Sequence, residues 1–381
     1  MIVELTIAAA GLAVAGAAAE LLARLGLARH GRVFVHHPYA RRRSELSQDA
    51  LPDMPPKVRF ASNGDGERAG PVPADPEGTL RVLVAGGSAA ECFMLDQDTT
   101  WPAQLESRLR DDPAIGRPVH VGNVARSLIA CRQIDAVLAA ALPRFRSLDV
   151  IVLMVGASDL VSWLEARTPP EIARGDVDLA SYCEDHPFGP FSWTLKGSAL
   201  YRVARRASAR FRGEDPLRKN VGSSLVKHRA MRARATTVLQ ETPDPAPLLR
   251  SFEEDLRALI GTCNRHAPRV VLARQPWLDR DFTPEEEARL WNFGQGSPYR
   301  GEVDTYYAID LVRDLMTRLD EVSARVAAEE AVEEVELRSA VPSDFEHYYD
   351  FLHFTPAGAE RVAAALAPVI AAGDDGARAG S

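Results

Sequence analysis

Six apolar residues in a row, Val150-Ile-Val-Leu-Met-Val155, constrain this chain more than any other stretch. A strand wetted on one face alternates apolar and polar residues, whereas one without a polar position is covered on both faces, as a central strand of a parallel sheet is. Leu80 to Ala85, Val119 to Asn123, Arg269 to Ala273 and Val332 to Leu337 read as further strands. Between them lie stretches with helical apolar spacing: Thr100 to Leu109, with a threonine N-cap and a proline in its first turn, then Ile129 to Leu142, Leu248 to Cys263 and Asp304 to Val326. Strands alternating with helices predict the α/β class, as a three-layer α/β/α domain around a parallel sheet of about five strands. The 381 residues, 46% of them hydrophobic, suffice for one large core.

The remaining segments are placed around that domain, at 79–371. Leu5 to Ala19 is an uncharged apolar run, extended toward Leu27 if Glu20 and Arg24 sit at an interface. Residues 1–27 therefore read as a membrane anchor, with a cleaved signal segment as the rival reading; Glu4 stands where a signal peptide carries basic residues. Arg24, Arg29, Arg32 and Arg41 to Arg43 follow the run and favour a cytoplasmic domain, while an exported domain is the rival, so the membrane side stays open. Residues 28–78, basic and then rich in Pro, Gly and Asp, read as a linker. The interval 163–247 is an insertion, too long for an ordinary connection. Its middle carries Arg202, Arg205, Arg206, Arg210, Arg212, Arg218, Lys219, Lys227, Arg229, Arg232 and Arg234, which fit either a contact with anionic lipid or acidic glycan or a solvated face. Residues 372–381 read as a disordered tail. A net charge of −8 argues against nucleic acid as a partner, and Cys92, Cys131, Cys183 and Cys263 show no metal-ligand spacing.

Two distant stretches carry complementary chemistry. Leu80-Arg-Val-Leu-Val-Ala-Gly-Gly-Ser88 ends a strand in two glycines and a serine, a sequence that permits a sharp turn exposing the hydroxyl. Asp350-Phe-Leu-His353 sets a carboxylate three residues before an imidazole, at the entry to a helix that Thr355 caps and Pro356 begins. A serine needs a base within hydrogen-bond reach and the base needs an orienting carboxylate, so Ser88, His353 and Asp350 form a candidate triad. Alone, a serine after Gly-Gly is commonly a turn and an Asp-x-x-His commonly a helix cap; together they point to chemistry. His347 is the nearest rival base.

In this order the blocks resemble the SGNH (GDSL) hydrolase family. Gly86-Gly87-Ser88 stands where the family's form is Gly-Asp-Ser, and Val150 to Asp159 resembles its strand ending in Gly-x-Asn-Asp, with Gly156 and Asp159 matching and Ser158 replacing the asparagine. Val121-Gly-Asn-Val-Ala-Arg-Ser-Leu128 covers the block that supplies a glycine N–H; aligning its asparagine on Asn123 puts Leu128 or Ala125 at that glycine. Phe60 to Arg68 resembles a short Asn/Gly/Arg segment seen in membrane-anchored members, or is a plain Asn-Gly turn. Gln275 and Trp277, after the fourth strand, line the cleft or simply cap and pack.

The resemblance implies a flavodoxin-like fold and a cofactor- and metal-independent ester hydrolase working through an acyl-enzyme on an ester-bearing small molecule, lipid or glycan. It also implies an oxyanion hole from the backbone N–H groups of Ser88 and Leu128 and the side chain at Ser158, supplemented by Asn123. Two alternatives stand beside it: a membrane-attached glycan- or protein-binding module whose oxyanion hole has decayed, and an O-acyltransferase acting on polysaccharide.

Overall fold

The computed structural model describes residues 2–29, 33–183, 193–211 and 213–379; Arg32 and Arg212, counted among the basic residues above, lie outside them. A long helix α1 (Ile2–Arg29) precedes two short strands, β1 (Arg41–Leu46) and β2 (Lys57–Ala61). The core alternates β3 (Leu80–Gly86), α2 (Ser88–Glu91), α3 (Trp101–Asp111), β4 (Val119–Asn123), α4 (Cys131–Ala141), β5 (Val150–Met154) and α5 (Ala157–Glu165). The insertion then carries α6 (Leu179–Tyr182), α7 (Ala199–Ala209), β6 (Arg218–Val221), α8 (Ser224–Ala233) and β7 (Thr237–Leu239). The core resumes with α9 (Ala246–Asn264), β8 (Arg269–Arg274), α10 (Pro284–Glu287), β9 (Thr305–Tyr307), α11 (Ile309–Glu329), β10 (Glu333–Glu336) and α12 (Pro356–Ala379).

The main sheet has five parallel strands in the order β10-β8-β5-β3-β4. Counting only these strands along the chain, the order is 2-1-3-4-5, the flavodoxin-like, doubly wound arrangement. The unbroken apolar runs follow from it. Ile151 and Leu153 pack with α4, α5, α9 and α11 on one face, while Val150, Val152 and Met154 pack with α3 and α12 on the other. After β3 the chain first moves outward to β4 and then crosses back to β5. That reversal opens a crevice beyond the ends of β3 and β5, where such sheets place their ligands.

Three expectations need correction. Residues 28–78 are not a loose linker: β1 pairs antiparallel with β2, and β6 from the insertion adds to β1 in parallel. In β2 Val58 and Phe60 alternate inward between Lys57 and Arg59, a half-buried strand pattern concealed by the prolines around it. The stretch 372–381 is not wholly a disordered tail, because the alanine-rich α12 runs on to Ala379; residues 380 and 381 lie outside the described ones. The helix expected from Asp304 begins only at Ile309, after β9 has paired in parallel with β7. Helix α1 is long and apolar enough over Val3–Leu27 to cross a membrane, a composition shared by anchors and signal sequences.

Candidate active site

Close backbone approach sets the turn that presents Ser88. Gly86, at φ +156°, lies so near β5 that a Cβ there would come within 2.2 Å of the Met154 carbonyl oxygen; a Cβ on Gly87 would stand 2.9 Å from Ser158 Oγ. The chain then enters α2 at Ser88, putting its hydroxyl at the end of a central strand on the crevice. Ser88 Oγ is 2.7 Å from His353 Nε2, and His353 Nδ1 is 2.8 Å from both carboxylate oxygens of Asp350. With the carboxylate beside it, Nδ1 carries the proton and donates, leaving Nε2 to accept from the serine hydroxyl.

Asp350 is 0% exposed and thoroughly held. Its Oδ1 accepts the backbone N–H groups of Leu352 and His353, each at 2.9 Å, so a three-residue spacing suffices to fix carboxylate and imidazole against each other within one turn. Its Oδ2 accepts the indole N–H of Trp291 at 3.1 Å. Burial pushes the carboxyl up, but His353 and the two backbone N–H groups outweigh it and hold Asp350 below the usual carboxylate range. The His353 ring stacks on Tyr349, with centroids 5.4 Å apart and planes 9° from parallel.

The other predicted residues are placed unevenly. Ser158, in the first turn of α5 after Gly156 at φ +113°, lines the crevice with Gly87, Ser88, Ile129 and Gln275. Leu128 sits at φ +64°, the left-handed conformation a glycine would take there, and its side chain is 74% exposed. The turn around it is tied across the end of β3: Arg126 N–H donates to the Gly86 carbonyl at 3.1 Å and Ser127 N–H to Glu91 Oε2 at 2.6 Å. Asn123 departs from expectation. It is 1% exposed, its amide donates to the Ala90 carbonyl at 2.9 Å and its Oδ1 accepts the Ala125 N–H at 2.9 Å, so it braces the helix headed by Ser88 from below instead of facing the crevice. Trp277 likewise turns away, buried beneath the Arg338 guanidinium at 4.1 Å. His347 pairs with Asp344 at 2.7 Å, a separate couple from the one at Ser88.

Asp159, matched in the sequence but given no role, accepts the Cys131 N–H at the start of α4. Burial pushes its carboxyl up to about 7; Asp255 adds to the push while the Cys131 N–H opposes it. Sequence reasoning gave two further residues no role. Trp291 comes from an irregular loop, between the buried Leu290 and Phe293, with no pattern to single it out. Arg68 lies in the Asn/Gly/Arg segment and is buried, donating to the carbonyls of Glu91 at 2.7 Å, Cys92 at 2.8 Å and Leu95 at 2.7 Å, where the helix headed by Ser88 ends. A guanidinium there meets the negative end of the peptide dipoles and satisfies carbonyls left open by the left-handed Cys92.

No family model matches the sequence, and no curated protein does. Solved structures with a similar course of chain include the acetylxylan esterase Axe2 from Geobacillus stearothermophilus, at 14% identity and a TM-score of 0.41 over 78% of this chain and 96% of that one. A G-D-S-L family protein from Desulfitobacterium hafniense aligns at 9% identity and a TM-score of 0.40 over 76% and 98%. LAE5, an alpha/beta hydrolase enzyme from the metagenome of Lake Arreo, aligns at 12% and 0.41 over 76% and 94%. Likenesses this remote carry no weight for the chemistry, which rests on the residues.

Proposed function

We propose that the protein is a serine ester hydrolase acting through an acyl-enzyme. The observation that carries the reading is the continuous contact from Asp350 through His353 to Ser88, at 2.8 and 2.7 Å, at the switch point of a doubly wound sheet. Ser88 Oγ attacks the acyl carbon while His353 Nε2 takes its proton; the imidazolium is stabilised by Asp350 and then protonates the departing alcohol oxygen as the carbon–oxygen bond breaks. A water, deprotonated by the same nitrogen, attacks the acyl-serine, and the proton returns to Ser88 Oγ as the carboxylic acid leaves. The oxyanion is met by the N–H of Ser88 at the head of α2, by the N–H of Leu128 and, weakly, by Ser158.

The crevice beside Ser88 is walled closely by Ile129, Ile134, Ala157 and Ser158. Walls of that kind favour a short acyl group such as acetyl, on a lipid or glycan alcohol, over a fatty chain. An assembled triad also weighs against the binding-module reading. Helix α1 acts as an anchor in this proposal, its end tied to the domain because Glu20 and Leu27 are buried against the folded chain. Incubation of the full-length protein with a fluorophosphonate, followed by peptide mass spectrometry, should place the adduct on Ser88, and p-nitrophenyl acetate should be cleaved far faster than the octanoate. No adduct on the folded protein would overturn the hydrolase reading; preference for octanoate would overturn the acetyl assignment alone.

A further inference from the structure

Helix α7 is turned inside out for a soluble protein. Its apolar positions Leu200, Val203, Ala204 and Ala207, continued by Phe211, recur at helical spacing and form one stripe, which a globular helix points at its core. Here the stripe is exposed, while Ala199 and Ala209 are buried and α7 packs against α1. Ahead of the stripe Trp193 is 71% and Leu195 82% exposed, and behind it Phe211 is 86% exposed. Among the described residues, six of the eleven large apolar side chains exposed outside α1 fall between 193 and 211. Arg205 and Arg210, both exposed, flank the stripe.

The attachment to α1 says where this face lies. Glu20, near the end of the apolar span and buried, accepts the N–H groups of Ala199 and Leu200 at 2.9 Å each, capping α7, and Arg24 pairs with Glu20 at 2.7 Å while its guanidinium lies 4.3 Å from the Trp193 ring centre. The carboxylate that interrupts the apolar run is thus the joint between the two helices. At 11 residues α7 is about 16 Å long, half the ~30 Å of a hydrocarbon core, so it cannot span one. An exposed apolar stripe bordered by arginines, with a tryptophan at its edge, is instead the make-up of a helix lying in the headgroup zone.

We propose that the outward face of α7, with Trp193, Leu195 and Phe211, rests on the anionic leaflet of the membrane that α1 enters, giving the domain a second contact that fixes its attitude to the lipid surface. This rests on the anchor reading of α1, continuity with α1 supplying the occupant and the arginines its charge. The test reconstitutes the full chain in phosphatidylcholine vesicles with and without one third phosphatidylglycerol. Of five tryptophans, Trp101, Trp163, Trp277 and Trp291 are at most 9% exposed, so quenching by lipids brominated near the headgroup reads Trp193. A Phe211→Trp variant that also carries Trp193→Phe reports from the far end of the helix. Quenching of both reporters, stronger with phosphatidylglycerol and weakened about fivefold by each of Arg205→Gln and Arg210→Gln, supports the proposal. A chain that resists carbonate extraction yet shows no quenching in the Phe211→Trp variant would overturn the α7 contact and point to a protein partner. Release by carbonate would overturn the anchor, and the proposal with it.

Discussion

Ser158→Asn tests the oxyanion hole where the sequence departs most from its resemblance. Ser158 Oγ stands 2.9 Å from the position a Cβ on Gly87 would occupy, so its side chain already reaches the turn that presents Ser88. An asparagine is one bond longer, and the missing Cβ of Gly87 leaves a path for its amide alongside that turn toward the acyl oxygen. A well-placed oxyanion donor contributes about 10²–10³ in kcat. Supporting contacts here are built around serine, so a gain of about tenfold in kcat is expected, with KM changed by less than about twofold, because the amide meets charge that develops only in the transition state. The assay is steady-state cleavage of p-nitrophenyl acetate, with the thermal midpoint as a check on folding. Gly87→Ala in the same background should remove the gain, since its methyl would fill the path. Loss of activity in a stable Ser158→Asn protein would refute the reasoning and assign the serine hydroxyl a role of its own.

Ser88→Ala and His353→Ala should each abolish turnover with the fold intact, and the double variant should be no worse than either, since triad members act as a unit; additive losses would separate them. Arg68→Met leaves three carbonyls at the end of α2 without their donor and should cost about 3–5 kcal/mol in urea unfolding, with Arg68→Lys recovering only part because an ammonium lacks the fork; a loss below about 1 kcal/mol would remove Arg68 from the account. The raised pKa of Asp159, about 7 against an ordinary carboxylate near 4, means its contribution to stability is full below about pH 4 and is lost as pH rises toward 7. That contribution should therefore fall across the window by up to about 1.4 kcal/mol per pH unit, and Asp159→Asn should remove it from the stability profile; a slope unchanged by the substitution would show that Asp159 titrates normally.

What could be read in advance divides along a physical line. The main sheet was legible because burial on both faces forbids polar residues, and that prohibition is written directly into Val150 to Val155. The contact between Asp350 and His353 was legible because it is local: Asp350 is fixed beside His353 by backbone N–H groups only two and three residues away. Where a role depends on a partner distant in the chain, the residue looked ordinary. Trp291 reaches Asp350 across 59 positions and Arg68 reaches Glu91 across 23; the segment holding Arg68 stood out by its resemblance, yet nothing in it names the distant carbonyls Arg68 meets. Asn123 was misread for the same reason: its type fits an oxyanion donor, and only the fold shows its amide already given to Ala90. The strands at 41–61 were hidden differently, since the arginines of β1 mask it and its pairing partners arrive from β2 and β6. The segment taken for a spacer thus carries Arg68, which braces the end of the helix headed by Ser88, so shortening it would disturb Ser88 before it altered any distance to a membrane.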